Sequence, residues 1–374
     1  MRPSPVTERL RVTYRVTCGA GEDPAAKAED IAYEQTVELP PGCVSPDVAA
    51  RVVGRVEAVE PAGDGSWTAV VSFDRGLAGD DLGQIVNLLF GNISMKTGVV
   101  LSEIAWPETL LAQLGGPGFG IEGLRALAGV QRRPMLCAAL KPLGLSAREL
   151  AEICFQFALG GIDVVKDDHG LADQETAPFR ERVERCQAAV ARANRETGGR
   201  SIYFPHVTGP VAALRERADF ARRSGCRGVL VSPLLVGLDT VRDLRSSGLA
   251  VMAHPALAGG FFNQGHGIAA GVLLGDLFRV AGSDAVIYPN VGGRFTLSAA
   301  SCEAINASLR RPLGPLKPAF PAPAGGIDVA RVPEWIDRYG VDTIFLIGGS
   351  LYAQQDLAGA SRRLLEAVRR HCDE

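Results

Sequence analysis

From Met135 onward, short apolar runs alternate with amphipathic helical stretches, and this alternation constrains the fold more than any other feature of the chain. The segment Phe179–Arg195 shows the helical half of the pattern, with Val183 and Val190 on one side and Arg180 on another. Eight strand–helix units in about 240 residues match the usual size of a (β/α)8 barrel, and a doubly wound open sheet is the competing fold. The expected barrel strands are Met135–Leu140, Asp163–Lys166, Ile202–Pro205, Gly228–Ser232, Ala250–Ala253, Ala285–Tyr288, Lys317–Pro321 and Thr343–Ile347.

The first part of the chain has a different pattern, in which strand-like runs precede an apolar helix expected at Leu82–Phe90. A glycine-rich turn, Gly115–Gly120, and a short helix, Ile121–Ala128, lead towards the barrel. We therefore expect an α/β protein with an N-terminal α+β, ferredoxin-like domain over residues 1–130 and a TIM barrel over residues 131–374. The strand-like runs of the first part are Leu10–Thr17, Ile31–Leu39, Ala50–Val59 and Trp67–Phe73.

Composition and charge argue against several classes of protein. The chain has 39 Lys and Arg against 42 Asp and Glu, a formal net charge of −3, so it lacks the basic character typical of nucleic-acid binding. No apolar run approaches the roughly 18–20 residues that span a bilayer, and no signal-peptide pattern opens the chain. The eight cysteines are scattered without CxxC pairs, which is typical of thiols in a reducing compartment. We therefore expect a cytoplasmic enzyme that binds neither nucleic acid nor membranes.

Reactive side chains gather where the predicted barrel strands end, which is where active sites of (β/α)8 barrels form. Four of the five histidines fall in such segments, although each taken alone is also compatible with a hydrogen-bonded structural histidine. The segment 160–170, GGIDVVKDDHG, follows a buried strand pattern, and unpaired charges are costly to bury there. The candidates at strand ends are Lys141, Lys166, Asp168, His169, His206, His254, Arg294, Gly325, Gly326, Gly348 and Gly349.

Several motifs follow one another in a characteristic order along the chain. They are LKPLGLS (140–146), GGIDVVKDDHG (160–170), VGGRF (291–295), PAGGID (323–328) and LIGGS (346–350). In this set and order the chain resembles the large-subunit family of ribulose-bisphosphate carboxylase (RuBisCO). It is more similar to the RuBisCO-like proteins of that family, the non-carboxylating form IV, and the resemblance covers nearly the whole chain.

The resemblance implies a metal site at the end of the second barrel strand. The family's KDDE motif reads Lys166-Asp167-Asp168-His169 here. In the family, CO₂ converts the lysine to a carbamate that binds Mg²⁺ together with the second aspartate and the glutamate. Lys166 and Asp168 match this set, whereas His169 replaces the glutamate with a nitrogen ligand that suits other divalent metals as well. The implied ligands are Lys166, Asp168 and His169, with Mg²⁺ and a CO₂-derived carbamate as cofactors.

The resemblance also implies catalytic residues in both domains. Lys141 matches the family's proton-transfer lysine, while Leu143 stands where a second lysine is expected. Arg294 occupies the position of the mobile-loop lysine of true carboxylases, and arginine does not replace that lysine chemically. Asn92 and Glu34 match N-domain residues that reach the active site of the partner subunit. This match implies a homodimer or a larger homo-oligomer.

Phosphate binding is expected at one end of the substrate only. Gly325-Gly326 and Gly348-Gly349 match two glycine pairs whose backbone N–H groups grip a phosphate in the family. The second phosphate site is incomplete, because Pro255 stands in place of a phosphate-binding arginine and Ile287 in place of a histidine. The expected partner is therefore a small molecule with a single phosphate.

Three functional hypotheses follow. The first is a lyase or related hydrolase that forms a metal-stabilised enediolate, most simply by decarboxylation or C–C cleavage of 3-oxo-isoapionate 4-phosphate in sugar-acid catabolism, with His254 or His206 orienting substrate hydroxyls. The second is an enolase or isomerase of a methylthioribulose-type phosphate in methionine salvage. The third is a non-catalytic binding or regulatory barrel. None of them is carboxylation of ribulose bisphosphate, because Leu143, Pro255 and Arg294 each replace a group that this reaction needs.

Overall fold

The chain folds into two compact units in the computed structural model. The first unit combines the chain up to Leu114 with Ala258–Leu273, and the second combines Gly115–Leu257 with Leu274–Glu374. The structure describes residues 8–263, 265–295, 297–327 and 329–373. In these ranges no helix is long and apolar enough to cross a membrane.

The regular elements of the described residues are numbered in chain order. The strands are β1 (Arg9–Val16), β2 (Arg55–Pro61), β3 (Trp67–Asp74), β4 (Val99–Ala105), β5 (Met135–Leu140), β6 (Val164–Asp167), β7 (Ile202–Phe204), β8 (Gly228–Val231), β9 (Ala250–Ala253), β10 (Phe262–Asn263), β11 (His266–Ile268), β12 (Ala285–Pro289), β13 (Phe320–Ala324) and β14 (Ile344–Leu346). The α-helices are α1 (Pro24–Glu34), α2 (Pro46–Val52), α3 (Leu82–Phe90), α4 (Glu108–Leu114), α5 (Gly120–Ala128), α6 (Ala147–Leu159), α7 (Phe179–Thr197), α8 (Val211–Arg223), α9 (Pro233–Val236), α10 (Leu238–Leu244), α11 (Phe278–Val280), α12 (Ala299–Arg310), α13 (Val332–Tyr339), α14 (Gly349–Tyr352) and α15 (Leu357–His371).

The first unit has the expected ferredoxin-like fold. Its central strand β1 pairs antiparallel with β3 on one side and with β4 on the other, and β2 pairs antiparallel with β3. Alternate residues of β1 are buried, which is the pattern of a sheet with one face on a core. The chain order β1-α1-α2-β2-β3-α3-β4 and the sheet order β4-β1-β3-β2 confirm the predicted N-terminal α+β architecture.

A segment from much later in the chain extends this sheet. β11 pairs parallel with β4, with Gly267 opposite Val100, and β10 pairs antiparallel with β11. This segment follows β9, so the sequence pattern assigned it to the barrel. Two short strands of two and three residues carry too little periodicity to reveal that they complete a different sheet.

Two strands predicted in the first unit are wrong in whole or in part. The run Ile31–Leu39 begins inside α1, because the Asp23 side chain accepts the Ala25 N–H at the start of that helix and Pro24 occupies its first position. The run Ala50–Val59 contains the end of α2 and only then the start of β2. Capping of a helix thus decides the local structure against a short apolar alternation typical of a strand. The predicted helix Leu82–Phe90 is confirmed.

The second unit is a closed barrel of eight parallel strands in the order β7-β6-β5-β14-β13-β12-β9-β8. The ends of this order meet because His206, two residues after β7, forms a parallel bridge with Leu230 of β8. Every barrel strand contributes buried apolar side chains to one core. The (β/α)8 architecture is therefore confirmed, and β13 begins three residues later than predicted because the Lys317 carbonyl accepts a hydrogen bond from Arg279 instead of a neighbouring strand.

The helix α5 belongs to the barrel unit, so the division between the units lies earlier than the boundary placed at residue 130. Its residues Ile121, Leu124 and Ala128 are buried in the barrel core. Its first N–H groups are held by Asp284, whose Oδ1 accepts the Phe119 and Gly120 N–H groups at 2.7 Å. A helix that covers the amino ends of the strands cannot be separated from a barrel by composition alone.

A buried ion pair holds the amino ends of β5 and β6. Arg133 and Asp163 are each 5% exposed, and the two Nη atoms lie 2.7 Å from the two carboxylate oxygens. Asp163 Oδ2 also accepts the Leu136 N–H at 2.7 Å. This bidentate pair therefore sets where the two strands start, at the face opposite their carboxyl ends.

Replacing Arg133 with leucine should lower the free energy of unfolding by about 3–5 kcal/mol, because the Asp163 carboxylate is left buried without a counter-charge. Urea denaturation of the full chain measures this loss. The matched control is Arg215→Leu, which breaks an exposed pair with Asp243 and should cost at most about 1 kcal/mol. Equal losses in the two variants would contradict the assignment.

Candidate active site

Asp167, the last residue of β6, is a fully buried structural carboxylate. Its Oδ2 accepts hydrogen bonds from Arg182 Nε and from the His206 backbone N–H, both at 3.0 Å, and its Oδ1 accepts the Tyr203 hydroxyl at 2.7 Å. Both oxygens are therefore engaged by α7, by β7 and by the backbone just after β7, and this buried network gives Asp167 a structural role. The residues on either side of it are thereby held in fixed directions.

Lys166, just before Asp167, is buried in the barrel with 2% exposure. Its Nζ donates to the Asp167 carbonyl at 3.1 Å. Burial is the main cause that lowers the pKa of the Lys166 amine below its ordinary value, and the nearby charge of Lys141 acts in the same direction against those of Cys137 and Asp168. A buried amine with a lowered pKa is more readily neutral, which is the form that reacts with CO₂.

Asp168 lies at the centre of the cluster. Its Oδ2 is 2.8 Å from Lys141 Nζ, and its Oδ1 is 3.1 Å from His169 Nδ1. Burial by itself raises the pKa of Asp168, but the hydrogen bonds from His169 and Lys141 outweigh it and hold that pKa well below its usual range. Asp168 is therefore an anion that connects the end of β5 with the loop after β6.

His169 stacks on His254 from the end of β9, with ring centroids 4.0 Å apart and an interplanar angle of 10°. His254 Nδ1 accepts the Ala256 N–H at 3.1 Å, so the hydrogen of its neutral ring lies on Nε2. Burial, together with the charges of Lys166 and His169, lowers the pKa of His254 to about 2. His254 is therefore a neutral hydrogen-bond donor.

His206 presents the complementary arrangement. Its Nδ1 lies 2.8 Å from the Leu171 carbonyl, so Nδ1 carries the hydrogen. Its Nε2 is buried and has no hydrogen-bond partner within the described ranges. Burial lowers the pKa of His206 to about 4, which keeps the ring neutral and leaves the Nε2 lone pair as an acceptor. An unpartnered buried acceptor is rare in a folded protein, and at this position it points to a ligand.

The four glycines of the predicted phosphate site lie in the loops after β13 and β14. Ser350, next to the second pair, donates from Oγ to the Ile327 carbonyl, next to the first pair, at 3.4 Å. At three of these glycines, a Cβ atom added to the backbone would meet no atom of the described residues within 4 Å. The fourth, Gly326, packs against the backbone of Gly293. The three positions with this open space are Gly325, Gly348 and Gly349.

Arg294 follows Gly293 in the loop after β12 and is exposed, with its guanidinium carbon 5.8 Å from the centre of the Phe295 ring. The close approach of Gly293 to Gly326 places this loop beside the first glycine pair. The remaining two candidates belong to the first unit. There Asn92 Nδ2 donates to Glu34 Oε1 at 3.2 Å.

In the first unit Glu34 also forms an ion pair with Lys96, with Nζ 3.2 Å from Oε2. The hydrogen bonds from Lys96 and Asn92 hold the pKa of Glu34 below its ordinary value. Asn92 and Glu34 thus form one polar pair. In the barrel, the structure brings together six of the predicted residues, namely Lys141, Lys166, Asp168, His169, His206 and His254.

Tyr352, at the end of α14, is a residue that sequence reasoning missed. Its hydroxyl accepts the Lys141 backbone N–H at 2.9 Å and donates to the Ala139 carbonyl at 2.8 Å. The Lys141–Pro142 peptide bond is cis. The sequence shows that a tyrosine follows the glycine pair Gly348-Gly349 by one helical turn. Only the closed barrel, in which β14 pairs with β5, reveals that this turn lies against the end of β5.

The residues around Lys166 would suit a metal ion that has a lysine carbamate among its ligands. In the described part of the chain, no group of three or more His, Cys, Asp or Glu side chains is arranged to hold a metal. A hard cation such as Mg²⁺ would therefore need a further oxygen ligand. A carbamate on the Lys166 amine would supply one beside the Asp168 carboxylate, and His169 contacts that same carboxylate.

Comparison with known proteins places this geometry in a family. Residues 120–368 match the family described as ribulose bisphosphate carboxylase large chain, catalytic domain. Ribulose bisphosphate carboxylase-like protein 1 of Rhodopseudomonas palustris is 43% identical over 355 residues, which cover 93% of this chain and 94% of the relative. The 5-methylthioribulose-1-phosphate isomerase of Rhodospirillum rubrum is 43% identical over 357 residues, covering 94% and 93%. The 2,3-diketo-5-methylthiopentyl-1-phosphate enolase of Geobacillus kaustophilus is 34% identical over 295 residues, covering 77% and 71%.

Solved structures agree with the sequence relatives. A Rubisco-like protein from Rhodopseudomonas palustris superposes with a TM-score of 0.88 at 39% identity, over 96% of this chain and 97% of that one. The octameric ribulose-1,5-bisphosphate carboxylase/oxygenase of Pyrococcus horikoshii gives a TM-score of 0.92 at 27% identity, over 99% and 89%. The chain therefore belongs to the ribulose bisphosphate carboxylase large-chain family, and within it to the RuBisCO-like proteins.

Proposed function

We propose that this chain is an isomerase that moves a proton between neighbouring carbons of a singly phosphorylated ketose with a methylthio end. The observation that carries the proposal is the cluster of Lys141, Asp168, His169 and His254 around the buried amine of Lys166. This cluster combines an amine that can carry a proton, an anion and the neutral imidazole of His254 within one barrel mouth. The Rhodospirillum rubrum relative, which matches nearly the full chain, is named for such a reaction.

Among the three hypotheses raised by the sequence, the relatives favour the second. Two of those reported are named as a methylthioribulose phosphate isomerase and a diketo-methylthiopentyl phosphate enolase. None of those reported is named for an isoapionate, so decarboxylation or C–C cleavage of 3-oxo-isoapionate 4-phosphate has no support here. Enzyme names on relatives that cover most of the chain also argue against a non-catalytic barrel.

Isomerisation removes one proton beside the keto group and returns one to the neighbouring carbon, so protons balance without a co-reactant. We assign both steps to Lys141 Nζ, which takes the proton as the neutral amine and returns it as the ammonium, and which lies 2.8 Å from Asp168 Oδ2. His254, with its hydrogen on Nε2, would donate to a substrate oxygen, and His206 Nε2 would accept a substrate hydroxyl. When bound to a Lys166 carbamate, Asp168 and His169, Mg²⁺ supplies positive charge that stabilises negative charge on substrate oxygens.

The two ends of the cluster suit the two ends of such a substrate. Among the described residues, no atom lies within 4 Å of a Cβ placed on Gly325, Gly348 or Gly349, which leaves open space beside their backbone for a phosphate. In the loop after β9, Leu257 is 62% exposed, two residues beyond Pro255, which stands in place of the family's phosphate-binding arginine. An uncharged, apolar substituent suits this end better than a second phosphate does.

We infer that the working unit is a homodimer or a larger homo-oligomer. Asn92 and Glu34 form a hydrogen-bonded pair in the first unit, away from the barrel sequence, as expected for residues that complete the site of a partner subunit. The Pyrococcus horikoshii protein with the same fold is described as octameric.

Replacing Lys141 with methionine should slow proton transfer by about 10²–10⁴-fold, because the carrier of the proton is lost while the length of the side chain is kept. The measurement is incorporation of solvent deuterium into 5-methylthioribulose 1-phosphate, followed by proton NMR. Lys317→Met is the control, since Lys317 bonds to the Gly118 carbonyl near α5 and should leave exchange unchanged. Absence of exchange in the wild-type protein would contradict the proposed function.

Incubation with ¹³C-bicarbonate and Mg²⁺ should produce a carbamate resonance that disappears in Lys166→Met. The reason is that Lys166 is the buried amine with a lowered pKa, beside the anion that would share the metal. Carbon-13 NMR detects the carbamate without any substrate. The control Lys27→Met removes a lysine of the first unit and should keep the resonance. Persistence of the signal in Lys166→Met would contradict the carbamate assignment.

The protein should not fix CO₂ onto ribulose bisphosphate. Leu143, Pro255 and Arg294 replace groups of the carboxylation reaction, and loss of one such group typically costs about 10²–10³-fold in rate. Incorporation of ¹⁴C-bicarbonate into acid-stable product measures this. Incorporation at the rate of a true carboxylase assayed in parallel would contradict the prediction.

A further inference from the structure

We propose that Tyr352 is a positioning residue that couples phosphate binding at the turn after β14 to the placement of Lys141. This inference rests on the proposed function, which assigns the phosphate to the glycine pairs and proton transfer to Lys141. The hydroxyl of Tyr352 bridges the backbone on both sides of Leu140, accepting the Lys141 N–H at 2.9 Å and donating to the Ala139 carbonyl at 2.8 Å. It is thus bonded to the residue that would carry the proton.

The other end of Tyr352 is tied to the predicted phosphate turn. Its backbone N–H donates to the Gly348 carbonyl at 3.1 Å. Tyr352 is also the last residue of the single helical turn that begins at Gly349, the second glycine of the pair. The ring packs edge-on against Phe157, with centroids 5.5 Å apart and an interplanar angle of 87°. One rigid residue therefore connects the backbone that would hold the phosphate with the backbone that carries Lys141.

Through this connection, phosphate binding at the turn can fix the position of Lys141. An anion held by the first N–H groups of the turn would fix its orientation, because glycine at two successive positions otherwise leaves the backbone free to move. Fixing the turn fixes the Tyr352 hydroxyl, and the hydroxyl fixes the start of the loop that begins at Lys141. Small displacements of a catalytic group cost large factors in rate, about 10²-fold for 1 Å.

A spectroscopic experiment tests the coupling without a substrate. The chain has five lysines, so reductive ¹³C-methylation gives few resonances, and Lys141→Arg identifies that of Lys141. Titration with inorganic phosphate should shift the Lys141 resonance of the wild-type protein. In Tyr352→Phe, which keeps the ring contact with Phe157 but loses both hydroxyl bonds, the shift should be at most half as large at full phosphate saturation, monitored by ³¹P NMR.

The matched control is Tyr288→Phe. Tyr288 is also a buried barrel tyrosine, but its hydroxyl donates to Asn306 Oδ1 at 3.0 Å on α12. This variant should shift like the wild type. Three outcomes would overturn the proposal: no shift in the wild type, an equal shift in Tyr352→Phe, or loss of phosphate binding in Tyr352→Phe. An equal shift would mean that the phosphate charge acts on Lys141 through space.

Steady-state kinetics give a second measurement on the same proteins. Tyr352→Phe should lower kcat at least tenfold with KM for the phosphorylated ketose within about twofold, because placement of Lys141 is lost while the phosphate contacts remain. With the wild-type protein, added phosphite should accelerate solvent-deuterium exchange of a ketose that lacks the phosphate group. With Tyr352→Phe, phosphite should accelerate this exchange much less. This acceleration is a ratio, so it does not depend on the fraction of folded protein.

These measurements separate the two proposals. Turnover of the ketose with an unchanged kcat, or with the same phosphite acceleration in Tyr352→Phe, overturns the role of Tyr352 and leaves the proposed function standing. Failure of the wild-type protein to exchange the ketose overturns the proposed function. In that case the NMR shift still decides whether Tyr352 couples the turn to Lys141.

Discussion

The buried carboxylate of Asp167 organises the candidate site through its hydrogen bonds to the surrounding elements. It joins Arg182 of α7, Tyr203 of β7 and the backbone of His206 around the end of β6. A charge buried this deeply is stable only when paired and fully hydrogen-bonded, so the network has one arrangement rather than several. The adjacent residues Lys166 and Asp168 are therefore held in fixed positions, as a preorganised site requires.

Burial then sets the charge state of each remaining group. Lys166 has a lowered pKa because it is enclosed by the barrel, and His206 and His254 are neutral for the same reason. Asp168 remains ionised because Lys141 and His169 donate to it. The site thus combines an ionised carboxylate with neutral imidazoles in one cluster, and burial extends the neutral state of the imidazoles to lower pH than in water.

Much of the fold was predictable because a parallel barrel strand is apolar on both faces and the helix that follows it is amphipathic. The β5 strand, Met135–Leu140, has this pattern without interruption. The first unit was less predictable, since the Asp23 cap and Pro24 turn an apolar alternation into the helix α1. The pairing of β11 with β4 was not predictable at all, because three residues carry no period and their partner lies more than 160 positions earlier.

For the site, the sequence by itself determined which residue types stand at the ends of the strands. It therefore also determined that five of them would cluster, namely Lys141, Lys166, Asp168, His206 and His254. Parallel strands in a barrel end at one face, and this rule needs no coordinates. Only the tertiary structure decided that Asp167 is structural, that His206 Nε2 has no hydrogen-bond partner among the described residues and that Tyr352 reaches Lys141. These properties depend on which atoms meet across the closed barrel, and a linear pattern of residue types does not contain that information.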